Sequence, residues 1–335
     1  MDATPVGSHP LDRAVSRRTL LGAVAAGTAC GGVLRFAPPA AAQYEEEATP
    51  AAGPAPAHRV GVGQIDVVVL DDGAFPGPAN LFAVNAPPAA LEQAVTDAGL
   101  DPAAILLGIH PLMVETGGQR VLLDAGLGVI EPGGVLLQSL AAEGIAPEEI
   151  DVVLITHMHT DHFGGALDAD GGLVFPNARH LINAAEYEFW SAEPALGELT
   201  IPDEFKQMFR QASIDGLKAL NGALEQIAPG DEIAPGVTVL DAKGHTPGQL
   251  AVEVASDGEG LIHIVDVAHV PEIQLTNPDW FMAADNWPAW SVATRQALFD
   301  RAADENLLVA TYHFPFPGLG RVTKDEVGWT WASEG

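Results

Sequence analysis

The chain has 335 residues, 47% of them hydrophobic, and a formal net charge of −30 from 45 acidic against 15 basic residues. Length and apolar content suffice for an ordinary buried core, whereas the charge excludes nucleic acid as a partner, because a phosphate backbone would be repelled. Lysine occurs only at Lys206, Lys218, Lys243 and Lys324, so a small neutral or hydrophobic substrate fits the surface better than an anionic one.

At the amino terminus, Arg17-Arg18 stands ahead of an Ala/Gly/Leu-rich stretch that closes on Ala40-Ala41-Ala42. The pattern resembles a twin-arginine export signal over residues 1–42, which implies delivery to the periplasm or the exterior. Gly22, Gly27, Gly31 and Gly32 argue against a helix of the folded protein here. Cys30 is the only cysteine and lies inside this segment. The rest of the chain therefore has no disulfide and must hold any metal through nitrogen and oxygen. Gly27-Thr28-Ala29 before Cys30 matches a lipidation site poorly. No apolar run suits a mature transmembrane span, so no stable membrane insertion is expected after cleavage. Residues 43–57, QYEEEATPAAGPAPA, read as an unstructured acidic leader, and residues 58–335 as one catalytic domain.

In chain order, residues 60–70 read as one or two strands ending in the turn Asp71-Asp72-Gly73. Residues 75–88 read as a loop and 89–98 as a helix. Residues 112–116 and 120–124 form a hairpin about Gly117-Gly118, and 136–143 a helix. The apolar run Val152-Val153-Leu154-Ile155 is a buried strand. A strand at 179–182 follows, then a helix capped by Asn183, a longer helix over 203–226, strands at 237–241, 249–254 and 261–265, a helix at 291–304 and a last strand at 307–312. Strands punctuated by helices predict an α/β fold of two mixed sheets covered by helices.

Four strand ends carry chemistry. The first strand, 152–155, runs into Thr156-His157-Met158-His159-Thr160-Asp161-His162 and Gly164-Gly165, which crowds three imidazoles and a carboxylate into one turn. Neutral imidazole and carboxylate are common metal ligands, so this cluster signals a metal site. Further strand ends deliver Gly244-His245-Thr246-Pro247-Gly248, then Asp266, then His313. His110, His180 and His263 lack clustered partners; His269 lies close to Asp266 in sequence.

These motifs resemble the metallo-β-lactamase superfamily, and the resemblance implies a four-layer αββα sandwich. It implies further that His157, His159 and His245 hold one divalent ion, Asp161, His162 and His313 a second, and that Asp266 bridges both. Zinc is the expected metal, with Mn, Fe and Co as alternatives. Such a pair lowers the pKa of a shared water, so that hydroxide becomes the nucleophile; Asp161 and Asp266 are the carboxylates at the reaction. Asp124, in Leu122-Leu123-Asp124-Ala125-Gly126, would support the metals from behind or stabilise its own turn.

Within the superfamily, Phe175-Pro176-Asn177, Trp190, Thr294-Arg295 and His313-Phe314-Pro315-Phe316-Pro317-Gly318 look like the methyl parathion hydrolase branch. Trp190, Phe314 and Phe316 are accordingly expected to bind substrate, with Trp280, Phe281, Trp287 and Trp290 as further candidates. Segments 75–110 and 271–288 depart from the branch and are expected to form pocket walls. The expected function is hydrolysis of neutral esters, lactones or phosphotriesters. Alternatives are an acyl-homoserine lactonase or a β-lactamase, and, further off, an iron-dependent oxidoreductase. The oligomeric state stays open, a homodimer included.

Overall fold

The computed structural model describes residues 57–334, apart from 131–132, 193, 195 and 197–198. The expected export signal, Cys30 and the leader up to residue 56 lie outside the described residues.

The fold opens with an antiparallel pair, β1 (Ala57–Val62) and β2 (Ile65–Leu70). The chain then leaves this sheet. β3 (Ala74–Gly77) pairs across helix α1 (Pro88–Asp97) with β4 (Ile105–Gly108) as a separate two-stranded ribbon. Residues 75–77 were expected as loop, because the partner that makes them a strand lies beyond α1 and leaves no local pattern. The expected hairpin follows as β5 (Leu112–Thr116) and β6 (Gln119–Leu123). Helix α2 (Leu136–Ala142), strand β7 (Val152–Ile155), the single turn α3 (Thr160–Phe163), β8 (Arg179–Asn183) and α4 (Ala184–Ser191) come next. The Asn183 side chain accepts from the Ala185 N–H at 3.1 Å and so caps α4 as expected. α5 (Asp203–Leu220) stops short of residue 226, and β9 (Leu224–Ile227) pairs with β8 instead. Edge position leaves Glu225 and Gln226 of β9 exposed, which removed its strand signature.

These strands form a sheet in the order β1-β2-β5-β6-β7-β8-β9, antiparallel up to β6 and parallel beyond. The second sheet is built from β10 (Glu232–Ala234), β11 (Val237–Asp241), β12 (Leu250–Ser256) and β13 (Glu259–His263). After α6 (Pro271–Gln274) and α7 (Pro288–Asp304), β14 (Leu308–Ala310), β15 (Leu319–Lys324) and β16 (Trp329–Ser333) complete it. Its strands lie in sequence order, antiparallel except for β13 and β14. β14 is therefore not the last strand; the edge pair β15 and β16 has little apolar alternation to announce it.

Period-two patterning sorts the cores. Val67, Val69, Val152 and Leu154 face Val237, Val239, Val252 and Leu261 between the sheets. Their neighbours Val68, Leu70, Val153 and Ile155 face outward beneath Leu140 of α2 and Leu217 and Leu220 of α5. On the other side, Ala251, Ile262 and Val309 pack under Leu298, Phe299 and Ala302 of α7. Helix, sheet, sheet and helix thus form four layers, as the resemblance implied. All four residues of β7 are fully buried, since a parallel strand covered on both faces has no solvent side. No described helix is long and apolar enough to cross a membrane.

Candidate metal centre

The strand-end motifs converge at one edge of the paired sheets. Close backbone approach makes this possible. A Cβ on Gly165 would meet the Ala125 carbonyl at 2.0 Å, and one on Gly248 would meet the Glu186 nitrogen at 2.2 Å. Glycine at these positions lets the first motif lie on the Asp124-Ala125-Gly126 turn and the second on α4. The Leu250 N–H then donates to Thr156 O at 3.1 Å, joining the two motifs. Val265 holds a left-handed φ of 52° immediately before Asp266. A β-branched residue is strained there, and this backbone kink presents the Asp266 carboxylate.

Ligand atoms of His157, His159, His245 and Asp266 lie within 4.8 Å of one another, as do those of Asp161, His162 and His313. Asp266 reaches both groups: Oδ1 is 3.1 Å from His162 Nε2, and Oδ2 is 3.2 Å from both His245 Nε2 and His313 Nε2. The structure therefore brings together every metal ligand expected from sequence. It adds His269, whose Nε2 is 3.2 Å from Asp266 Oδ2 and whose ring stacks on His313 at 5.0 Å.

The donor set fits a metal. His157 Nε2, His162 Nε2 and Asp266 Oδ1 are buried without a hydrogen-bond partner, an arrangement that costs about 1–3 kcal/mol per group unless a cation satisfies it. His162 Nε2 and Asp266 Oδ1, though close, are not aligned as a hydrogen bond. Burial holds His157 and His159 well below the ordinary imidazole range, in the neutral form that ligates. Burial opposes charge on His162 and His245 too, yet Asp266 with Asp161 and Asp124 raises the first. Hydrogen bonds to Asp266 and Asp285 carry the second up to about 9. Carboxylates thus favour positive charge at the centre, which is the field a divalent cation would meet.

Outer partners orient the rings. Asp124, fully buried with a left-handed φ of 64°, accepts from Thr156 N and Thr156 Oγ1 at 2.8 Å each and lies 2.8 Å from His162 Nδ1. Its carboxylate reaches into the ligand motif, to Thr156 and His162, rather than to the backbone of its own turn. Asp285 is 2.9 Å from His245 Nδ1, and the Tyr312 hydroxyl donates to Asp161 O at 2.7 Å while its ring stacks on His162. Carboxylate–imidazole pairs of this kind fix the tautomer and direction of a ligating ring. Asp285 was missed from sequence because nothing local marks it.

The family model of the metallo-beta-lactamase superfamily matches residues 106–310. The chain belongs to this superfamily. An N-acyl homoserine lactonase of Bacillus cereus is 26% identical over 217 residues, 57% of this chain and 77% of the relative. Another curated match of 76 residues spans only 19% of its relative. Among solved structures, AidC, described as a dizinc quorum-quenching lactonase, superposes with a TM-score of 0.78 at 28% identity, covering 84% of this chain and 98% of its own. The hydrolase AbOPH gives 0.77 at 27% identity, covering 84% and 98%. The protein is thus a hydrolase of the metallo-β-lactamase superfamily.

An apolar cavity of about 460 Å³ opens on the centre and is lined by His159, Asp161, Asp266 and His313 among others. Phe75, Phe82 and Leu107 form one wall, and Phe205, Met208 and Phe209 of α5 another. Met282, Ala283 and Ala284 close it, so segments 75–110 and 271–288 supply walls as expected. The aromatic residues expected to bind substrate do not. Trp190, on the buried face of α4, is 1% exposed within the core, its indole donating to Glu186 at 2.7 Å. Phe314 is fully buried against Trp331, and Phe316 lines a different cavity, edge-on to His110. Trp280, Phe281, Trp287 and Trp290 are also absent from the lining. The wall from α5 carried a signal in the spacing of Phe205, Met208 and Phe209, one helical face.

Proposed function

We propose that this hydrolase uses two divalent ions, zinc by preference, to open neutral lactones and esters that carry an apolar substituent. The observation that carries the reading is the cavity above the His/Asp cluster: apolar on its walls, with no lysine or arginine among its described lining residues. A neutral, lipophilic substrate gains from burial there, whereas a phosphomonoester would find no cationic clamp. Lactonase relatives among both the curated proteins and the solved structures support a lactone first.

His157, His159 and His245 would hold one ion and Asp161, His162 and His313 the other, with Asp266 facing both. When bound, such a pair supplies Lewis acidity and a water acidified toward neutral pH. The chain's own residues do the rest. Asp124 and Asp285 hold His162 and His245 in fixed tautomers. The walls formed by Phe75 and α5 exclude bulk water, which strengthens every electrostatic contact inside. Asp161, partly exposed at the cavity floor, is placed to take a proton and return it to the departing oxygen.

The segments that look like methyl parathion hydrolase, Phe175-Pro176-Asn177 and His313–Gly318, support phosphotriesters as a second reading, since these too are neutral and lipophilic. Residues 1–42 we read as an export signal acting before the folded domain reaches the periplasm or the exterior. A panel of N-acyl homoserine lactones, aryl esters, phosphotriesters, phosphodiesters and β-lactams on one metal-loaded preparation tests the substrate class. The lactones should give the highest kcat/KM. Faster turnover of phosphodiesters or β-lactams than of any neutral lactone or ester would defeat the proposal.

A further inference from the structure

A second cavity, of about 570 Å³, lies against the first and shares only His269 and His313 with it. The β3–β4 ribbon divides them: Leu107 faces the first cavity, and its neighbours Leu106 and Gly108 the second, the alternation expected of a strand. No part of the hydrolytic reading uses this second space.

Its polar feature is His110, 2% exposed. His110 Nε2 lies 2.9 Å from Phe314 O. A carbonyl only accepts, so Nε2 carries the proton and Nδ1 presents a lone pair. That Nδ1 has no hydrogen-bond partner. It lies 3.8 Å from Asp71 Oδ1, too far for a direct hydrogen bond; Asp71 Oδ1 accepts from Gly73 N–H at 3.1 Å and keeps a second lone pair, whereas His110 Nδ1 has no donor at all. Burial pushes the His110 pKa down to about 4, so the ring stays neutral near pH 7 and cannot serve as that donor itself. A group with two N–H bonds, seated between them, gives His110 Nδ1 its missing donor and Asp71 Oδ1 a second one.

Charge and shape narrow its identity. Asp101 and Glu272 join Asp71 in the lining, and no lysine or arginine is among the described residues there. Leu106 is 67% exposed and Phe316 37%, unusually high for large apolar side chains, and both line this cavity. An apolar body against them would remove that exposure from water.

We propose that the second cavity binds a primary ammonium with a short apolar body, its N–H groups shared between His110 Nδ1 and Asp71 Oδ1 and its body against Leu106 and Phe316. A neutral alcohol would lack the attraction of the carboxylates, and a carboxylate ligand would be repelled. Because the β3–β4 ribbon is a wall of both cavities, the occupant also braces the wall that carries Phe75 and Leu107.

Calorimetric titration and saturation-transfer NMR of the metal-loaded full chain with n-pentylammonium, n-pentanol and pentanoate test this. Pentylammonium should bind at one site per chain, pentanol at least about tenfold more weakly because a charge-assisted hydrogen bond is worth about 1.5–3 kcal/mol, and pentanoate not at all. Glu272→Gln and Asp101→Asn remove exposed charges and leave the fold intact. Each should weaken pentylammonium about 1.5- to 5-fold, the range for exposed charge pairs, without changing pentanol. His110→Phe should weaken pentylammonium and narrow its advantage over pentanol to what the carboxylates alone supply. Equal binding of pentanol and pentylammonium, or an affinity unchanged in the Asp101→Asn/Glu272→Gln double variant, would overturn the proposal. So would a change in the visible spectrum of the cobalt-substituted protein on adding the amine, since that would place the amine on the metals.

Discussion

The Trp190 indole donates to Glu186 Oε1 over 2.7 Å, deep in the core and away from the substrate cavity. The same carboxylate accepts from Met158 N at 3.0 Å and Gly248 N at 2.9 Å. Met158 sits between His157 and His159, and Gly248 shortly after His245, so one buried side chain ties together two of the ligand motifs. Burial raises the Glu186 pKa against these donors. Removing the carboxylate leaves three donors unpaired. Glu186→Ala should therefore cost about 3–5 kcal/mol, read by urea unfolding. It should also weaken metal binding at least tenfold in a competition with a chelating indicator. Trp190→Phe should lower stability by about 1–3 kcal/mol and leave KM unchanged. An increase in KM for aryl substrates without loss of stability would return Trp190 to the pocket.

Asp285 stands outside the ligand shell and should act through His245. Asp285→Asn keeps the volume but puts an amide where a carboxylate met Nδ1 at 2.9 Å. Metal affinity or turnover should fall about 10- to 100-fold with the circular dichroism spectrum unchanged. Elemental analysis of the wild-type protein should give two equivalents of metal. Chelation should lower its melting temperature, because cations offset the buried partnerless atoms of His157, His162 and Asp266. One equivalent at saturating metal would rule out the dinuclear centre.

The α5 wall sets the room for the apolar substituent. Phe205 and Met208 are 39% and 42% exposed, so truncation should cost little stability. Phe205→Ala and Met208→Ala should raise KM for long-chain acyl lactones several-fold, leave kcat within about twofold and barely affect short-chain ones, since wall contacts bind ground state and transition state alike. Equal effects on short and long chains would show that the chain lies elsewhere.

Export can be followed without any assay of activity. Replacing Arg17 and Arg18 by lysine should leave full-length precursor in the cytoplasm, whereas the parent chain should be cleaved near Ala42. Undiminished export of the double variant would refute the twin-arginine route.

The candidate ligands lie at the ends of strands whose apolar runs are local, so residue type and position could be read together. His157, His159, Asp161 and His162 stood out in this way; that His245, Asp266 and His313 complete the set was implied by the resemblance to the superfamily. Most strands and helices were legible for the same reason; the strands that were not, β3, β4, β9, β10, β15 and β16, are short, sit at sheet edges or take their partners from outside any local window. Aromatic character said nothing about where a ring would point. Trp190 and Phe314 went to the core, while Phe75, Phe82, Phe205 and Phe209 became walls, because burial depends on segments that meet only after the sheets have packed. Glu186 and Asp285 show the same limit from the polar side. Asp285 meets His245 from 40 residues away. A buried carboxylate takes its meaning from the donors that folding brings to it, and only the tertiary structure brings them.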